Sequence, residues 1–204
     1  SASKKSKFDK RGQILPRERL ARLLDPGMPW LEIGNLAGYM LDTTNEEKSI
    51  PGSSIMAGIG FIAGVRTAIV VDDSGIKAGS LTTAGGYRLQ RAQEIALEQK
   101  LPFVHLVESA GGDLMNYTVE EFVEGGRLFA NLARLSKAGL PVLAVLHGSS
   151  TAGGAYMPGL SDYVVGVKGG GKAFLAGPPL LKAATGEIAT DEELGGAEMH
   201  ASIS

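Results

Sequence analysis

The run Leu101-Pro102-Phe103-Val104-His105-Leu106-Val107 breaks into Glu108-Ser109-Ala110-Gly111-Gly112-Asp113, and Val142-Leu143-Ala144-Val145-Leu146 breaks into His147-Gly148-Ser149-Ser150-Thr151-Ala152-Gly153-Gly154. Short aliphatic runs bounded by glycine read as buried strands. A helical segment between them makes the two strands parallel neighbours in one sheet. Each glycine pair then stands at a strand's carboxyl end, where open α/β sheets bind ligands. Backbone N–H groups from Gly111, Gly112, Gly153 and Gly154 can there converge on one small oxyanion. A tight turn with close helix packing explains either pair alone, but explains less well why both occur.

Working outward, Thr118-Val119-Glu120-Glu121 has capping-box spacing and opens the crossover helix, with Phe122, Gly126, Phe129 and Ala133 at helical steps and a stop at Gly139 and Pro141. Upstream, Tyr87 to Lys100 reads as a helix with Leu89, Ala92 and Ala96 on one face. Ile55 to Gly64 and Thr67 to Val71 read as two strands of a hairpin linked at Gly64-Val65-Arg66. Leu36 to Ser54 is a turn-rich loop, either mobile or structured by something it binds. Pro16 to Leu24 predicts a short helix closed by Asp25-Pro26-Gly27. Residues 1–13 are polar and basic, with no structure expected. Downstream, Tyr163 to Val167 is a strand, Leu180 to Ala184 a helix, and Thr190 to Glu193 a second capping-box candidate. Repeated strand and helix alternation implies an α/β fold with a largely parallel core sheet.

The 204 residues fit one large domain able to bury roughly 70% of its unfolded surface. A net charge of −2 gives no global attraction to nucleic acid or anionic membrane. Cysteine is absent, which excludes disulfides and thiolate metal sites. No apolar run approaches the ~18 residues of a membrane span, and no signal-peptide pattern opens the sequence, so the expected compartment is the cytoplasm or a mitochondrial matrix. No metal-ligand spacing is defensible.

Several motifs imitate other sites. Gly58, Gly60 and Gly64 lack the helix that a dinucleotide loop requires next. Gly166-Val167-Lys168-Gly169-Gly170-Gly171-Lys172 has the spacing of a phosphate loop, but Ala173 stands where a magnesium-binding hydroxyl belongs. Gly148-Ser149-Ser150-Thr151-Ala152 approaches a nucleophile elbow with Ala152 in place of its second glycine, and no acid–histidine set stands out. His147 abuts that motif. His105 reads as structural, and Asp72-Asp73 as a turn at a strand end.

At the two glycine pairs the chain resembles the crotonase superfamily, in which one loop reads Ala-Gly-(Ala/Gly)-Asp and the next Gly-x-x-x-x-Gly-Gly. More narrowly it resembles the carboxyltransferase β subunit of biotin-dependent acyl-CoA carboxylases, the methylcrotonyl-CoA and geranyl-CoA branch. The matching stretches include Leu15-Pro16-Arg17-Glu18-Arg19-Leu20, Arg91-Ala92-Gln93-Glu94-Ile95-Ala96, Thr151-Ala152-Gly153-Gly154-Ala155-Tyr156 and Phe174-Leu175-Ala176-Gly177-Pro178-Pro179-Leu180-Leu181-Lys182.

The resemblance implies a crotonase-like fold: a parallel core sheet, a smaller perpendicular sheet and flanking helices. It implies transfer of a carboxyl group from carboxybiotin to an acyl-CoA, with the enolate held by N–H groups near Gly111-Gly112 and Gly153-Gly154. Coenzyme A falls to Lys77-Ala78-Gly79, with Arg17 or Arg19 facing phosphate, and no metal is implied. Biotin would arrive on a carrier from a biotin carboxylase partner. Residues 14–204 correspond to the first of two homologous halves, so a second carboxyltransferase domain or subunit and a trimeric or hexameric ring are expected. Gly112 to Val119 and Thr82 to Tyr87 depart from the methylcrotonyl pattern, which leaves the acyl group open. Two alternatives stand beside this reading: a crotonase-type hydratase, isomerase or decarboxylase without biotin, and a non-catalytic assembly half.

Overall fold

The computed structural model of the chain describes residues 4–41, 43–113 and 118–204. Its centre is the β-branched run Thr67 to Val71, buried throughout. Strand β2 (Ile55–Ile62) turns into β3 (Val65–Asp72) through Ala63 and Gly64, both at positive φ, as a tight hairpin of this twist requires. The Asp25 carboxylate accepts from both turn N–H groups, at 2.8 and 2.7 Å, so β3 starts at Val65 and absorbs part of the expected link. Gly58 and Gly60 pack against Trp30 and Leu24, with no room for a Cβ, which accounts for the glycines that imitate a nucleotide loop.

Beyond β3 the sheet is parallel. Helix α3 (Thr83–Glu98) crosses to β4 (Phe103–Val107), and α4 (Val119–Lys137) crosses to β5 (Val142–Leu146), giving the order β1 (Leu31–Glu32), β2, β3, β4, β5, β7 (Tyr163–Gly166). The two glycine-ended strands are thus adjacent and parallel, as expected. Strand β6 (Ser149–Thr151), read in the sequence as loop, pairs with β8 (Lys172–Phe174) in a second, two-stranded sheet.

Alternation along the strands divides the core. Val70, Phe103, Val107, Val142 and Ala144 face Leu89, Ala92 and Ala96 of α3 and Leu128, Leu132 and Leu135 of α4. Ile69, Val71, Val104 and Leu106 face Leu20 of α2 (Pro16–Leu23) on the other side. Helix α3 starts at Thr83 rather than Tyr87, because Thr82 caps it by accepting from the Gly85 N–H at 3.2 Å. The Thr118–Glu121 capping box forms as expected. Of the stripe Phe122, Gly126 and Phe129, only Phe129 packs against the core, Phe122 is exposed, and all three line a cavity.

Two segments depart from expectation. Lys5–Lys10 forms helix α1, with Phe8 fully buried and the Arg11 guanidinium 4.9 Å above its ring. The end of the polar loop, at Gly52, is held by the chain's own Arg88, whose side chain is 1% exposed. It donates to the carbonyls of Ile33, Gly52 and Ile55 and to Glu32 Oε1. Four of the five guanidinium N–H groups thus gain an acceptor.

The remaining elements are α5 (Tyr156–Gly159), α6 (Pro178–Thr185), α7 (Asp191–Gly195) and α8 (Ala197–Ile203). The expected helix after the two prolines is present, and the second capping box opens α7. Edge strand β7 is exposed along its length, with Tyr163 at 65% and Val165 at 58%. Among the described residues no helix is long and apolar enough to cross a membrane.

Candidate active site

Three loops meet beyond the carboxyl ends of β3, β4 and β5. Lys77, Ala78 and Gly79 all have positive φ and form a 3-10 turn. Two consecutive non-glycine residues in that region are uncommon and cluster at functional sites. From this turn Leu81 pairs with the loop after β4: its N–H donates to the Gly111 carbonyl at 2.7 Å and its carbonyl accepts from Asp113 at 3.2 Å. Ser109 joins all three loops. Its hydroxyl donates to the Gly79 carbonyl at 3.1 Å and accepts from the Gly111 N–H at 3.2 Å. Its own carbonyl accepts from Thr151 at 2.9 Å.

These bonds separate the four predicted glycines into two kinds. Gly111, at φ +82°, has its N–H and carbonyl both engaged, and Gly154 lies against Ser109 so closely that an added Cβ would sit 2.8 Å from the serine Cβ and carbonyl oxygen. Gly112 and Gly153 have open space where a Cβ would stand. In the 3-10 turn Ala152–Ala155 the first N–H, from Ala152, is taken by the Leu175 carbonyl at 3.2 Å. Among the described residues, the N–H groups of Gly112 and Gly153 have no hydrogen-bond acceptor.

Both of those glycines line a cavity of about 750 Å³. Leu81, Tyr87, Phe122 and Phe129 give it apolar walls, and Lys77 stands on it, 3.2 Å from Asp113 Oδ2. Arg17 and Arg19 do not join this cavity. Arg17 pairs with Glu32 at 2.9 Å, and Arg19 donates to the Ile14 carbonyl at 3.0 Å. Of the predicted residues, then, the four glycines and the Lys77–Gly79 turn come together, and the two arginines lie elsewhere. Leu114 to Tyr117, within the loop that departs from the methylcrotonyl pattern, lie outside the described residues.

Two of the acidic groups on the cavity wall, Asp72 and Glu121, are held by neighbours. Asp72 Oδ1 lies 3.0 Å from His105 Nε2, and Oδ2 accepts from the Glu108 N–H at 3.0 Å. Glu121 serves the α4 cap and accepts from the Thr83 hydroxyl at 2.6 Å. The motifs that imitate other sites lie apart from the cavity: His147 is buried, its Nδ1 3.8 Å from Glu108 Oε2, and the glycine run 166–172 is a turn between β7 and β8. Among the described residues no cluster of His, Asp or Glu could hold a metal.

The Asp72–His105 pair and Glu108 escape the sequence reading. A charged residue ending each of two apolar runs is the signal that marks them, because a buried charge at a strand end needs partners from other loops.

The family profile of the carboxyl transferase domain matches residues 7–204. The chain belongs to this family. A probable biotin-dependent acyl-coenzyme A carboxylase beta2 subunit from Mycobacterium tuberculosis is 49% identical over 194 residues, which is 95% of this carboxyl transferase domain and 35% of that protein. The mitochondrial methylcrotonoyl-CoA carboxylase beta chain of Dictyostelium discoideum is 46% identical over 193 residues, 93% of the chain and 32% of its own length. Among solved structures, the geranyl-CoA carboxylase beta subunit of P. aeruginosa superimposes with a TM-score of 0.88 at 57% identity, covering 99% of this chain and 36% of that one. Transcarboxylase 12S, solved with methylmalonyl-coenzyme A bound, superimposes at 0.84 with 28% identity. The carboxyl transferase domain described here spans about a third of the length of these relatives.

Proposed function

We propose that this domain is the acyl-CoA half of the carboxyltransferase of a biotin-dependent acyl-CoA carboxylase. One observation carries the reading: the N–H groups of Gly112 and Gly153, from two different loops and without an acceptor among the described residues, border one apolar cavity. A thioester oxygen between them gains two donors as it takes up enolate charge, and each such donor is worth about 3–4 kcal/mol in a comparable oxyanion hole. Removing a proton from carbon beside the thioester leaves that charge on oxygen, so the donors act on the transition state more than on the substrate. Leu81, Tyr87, Phe122 and Phe129 enclose the acyl chain, and the Lys77–Gly79 turn takes the coenzyme A side. Arg17, paired with Glu32, has no part in this reading.

Carboxybiotin, carried by a partner, would supply both the carbon dioxide and, as the anion left by its release, the base for the substrate proton. A second carboxyltransferase domain or subunit closes the biotin side of the cavity. Exposed apolar residues on β7 and at Val119, Phe122 and Val123 of α4 are consistent with coverage by such a partner and with assembly into a ring. Relatives named as mitochondrial support a mitochondrial matrix location if the source is eukaryotic, and the cytoplasm otherwise.

A hydratase or isomerase needs a free carboxylate aimed at the substrate; the engagement of Asp72 and Glu121 weighs against that alternative. The test is calorimetric titration with methylcrotonyl-, geranyl- and propionyl-CoA, followed by carboxyl transfer to free biotin from the carboxylated product in the intact protein. Transfer without prior hydration of the substrate supports the reading. Failure to bind any acyl-CoA overturns it and favours an assembly role.

A further inference from the structure

We propose that Glu108 is a positioning residue for the two glycine loops, and that residues 11–13 complete its setting. Glu108 follows β4 and immediately precedes the Ser109–Asp113 loop, yet its side chain points into the protein, 7% exposed. Its carboxylate accepts from Arg11 Nη1 at 3.2 Å, Gln13 Nε2 at 3.0 Å and Ser74 Oγ at 2.8 Å. Its N–H is held by Asp72. Its carbonyl lies where a Cβ on Gly79 would stand, and its side chain fills the space a Cβ on Gly148 would need.

One residue is therefore fixed by the N-terminal segment, by the loop after β3 and by the loop after β5. The last of these contacts matters most, because Gly148 begins the loop that carries Gly153, while Glu108 begins the loop that carries Gly112. The separation of the two free N–H groups is set where these loops start, and Glu108 fills that place. Glu108 itself does not border the cavity, so its effect passes through Ser109, which bonds both Gly111 and Thr151. An oxyanion hole depends on donor placement to a fraction of an ångström, whereas substrate binding along an apolar cavity does not. The inference rests on the oxyanion reading above.

The experiment compares two CoA ligands on the intact protein: the acyl-CoA, and a nitroalkyl-CoA whose nitronate mimics the enolate. Wild type should hold the nitronate more tightly than the acyl-CoA. Glu108→Gln, which keeps the shape but loses the charge that Arg11 meets, should reduce that preference about tenfold with acyl-CoA affinity unchanged. The double variant Arg11→Met/Gln13→Leu removes the outer partners without touching either loop, and should move the preference in the same direction. If wild type has no preference for the nitronate, the oxyanion reading fails. If wild type has the preference and both folded variants keep it whole, Glu108 has no positioning role. Equal weakening of both ligands also overturns the proposal, since it marks a general structural defect.

Discussion

Gly111 and Gly154 are enclosed by neighbouring atoms, whereas Gly112 and Gly153 face open space, although each pair looks symmetrical in sequence. The difference teaches that one glycine of each pair builds the loop and the other keeps the site clear. Gly154 admits the close approach of Ser109, and Gly111 supplies the left-handed turn that lets Leu81 pair with its loop. Only after those contacts form do the Gly112 and Gly153 N–H groups remain unused among the described residues.

The largest effect should come from the enclosed member. Gly154→Val drives a branched side chain into Ser109 and should destabilise the fold by about 3 kcal/mol, read from urea denaturation. Gly153→Val should do the opposite. Stability stays within about 1 kcal/mol, because nothing lies near its Cβ position, while the side chain occupies the space of the thioester oxygen and turnover falls at least about 100-fold. A Gly153→Val protein that turns over normally, or a Gly154→Val protein as stable as wild type, breaks the distinction.

Much of this was legible before any coordinates. The runs at 103–107 and 142–146 fix parallel strands, because apolar sequence interrupted only by His105 must be covered on both sides. The motif pairs then locate the site at their ends. What the sequence could not divide was each glycine pair into its two roles, since that depends on which carbonyl or side chain arrives from another loop. The same limit explains Phe122, whose helical spacing reads as core until the sheet beneath α4 ends and leaves it over a cavity. Arg88 and Phe8 are further cases: an arginine in a helix and a phenylalanine in a basic tail look solvated until their long-range partners are known.

A smaller effect concerns what lies behind the loops. Burial, then the nearby Arg19 charge, lowers the His147 pKa from 6.5 to about 3, so the ring is neutral in the folded protein. The unfolded chain takes up its proton first as pH falls, and the stability due to neutral His147 is lost between about pH 6.5 and about pH 3. The slope is at most about 1.4 kcal/mol per pH unit. His147→Gln should flatten the loss between about pH 7 and about pH 5 in urea denaturation, while leaving the Gly112 and Gly153 side open. An unchanged slope would mean that the loops tolerate a charge beside Glu108, and that their enclosed side is less tightly fixed than the contacts require.

The smallest effect extends the comparison from glycines to cations. Lys77 stands on the cavity, whereas Arg17 is committed to Glu32 on the outside of the protein. An exposed ion pair contributes little to stability, so Arg17→Ala should shift it by no more than about 0.5 kcal/mol and leave acyl-CoA affinity unchanged. Lys77→Ala should weaken acyl-CoA binding severalfold, because a cation on the cavity that can face a phosphate is lost. The pair of titrations separates two positions that the sequence treats alike. If Arg17→Ala loses affinity and Lys77→Ala does not, coenzyme A approaches from the α2 side, and the open glycines must be reached by a different path.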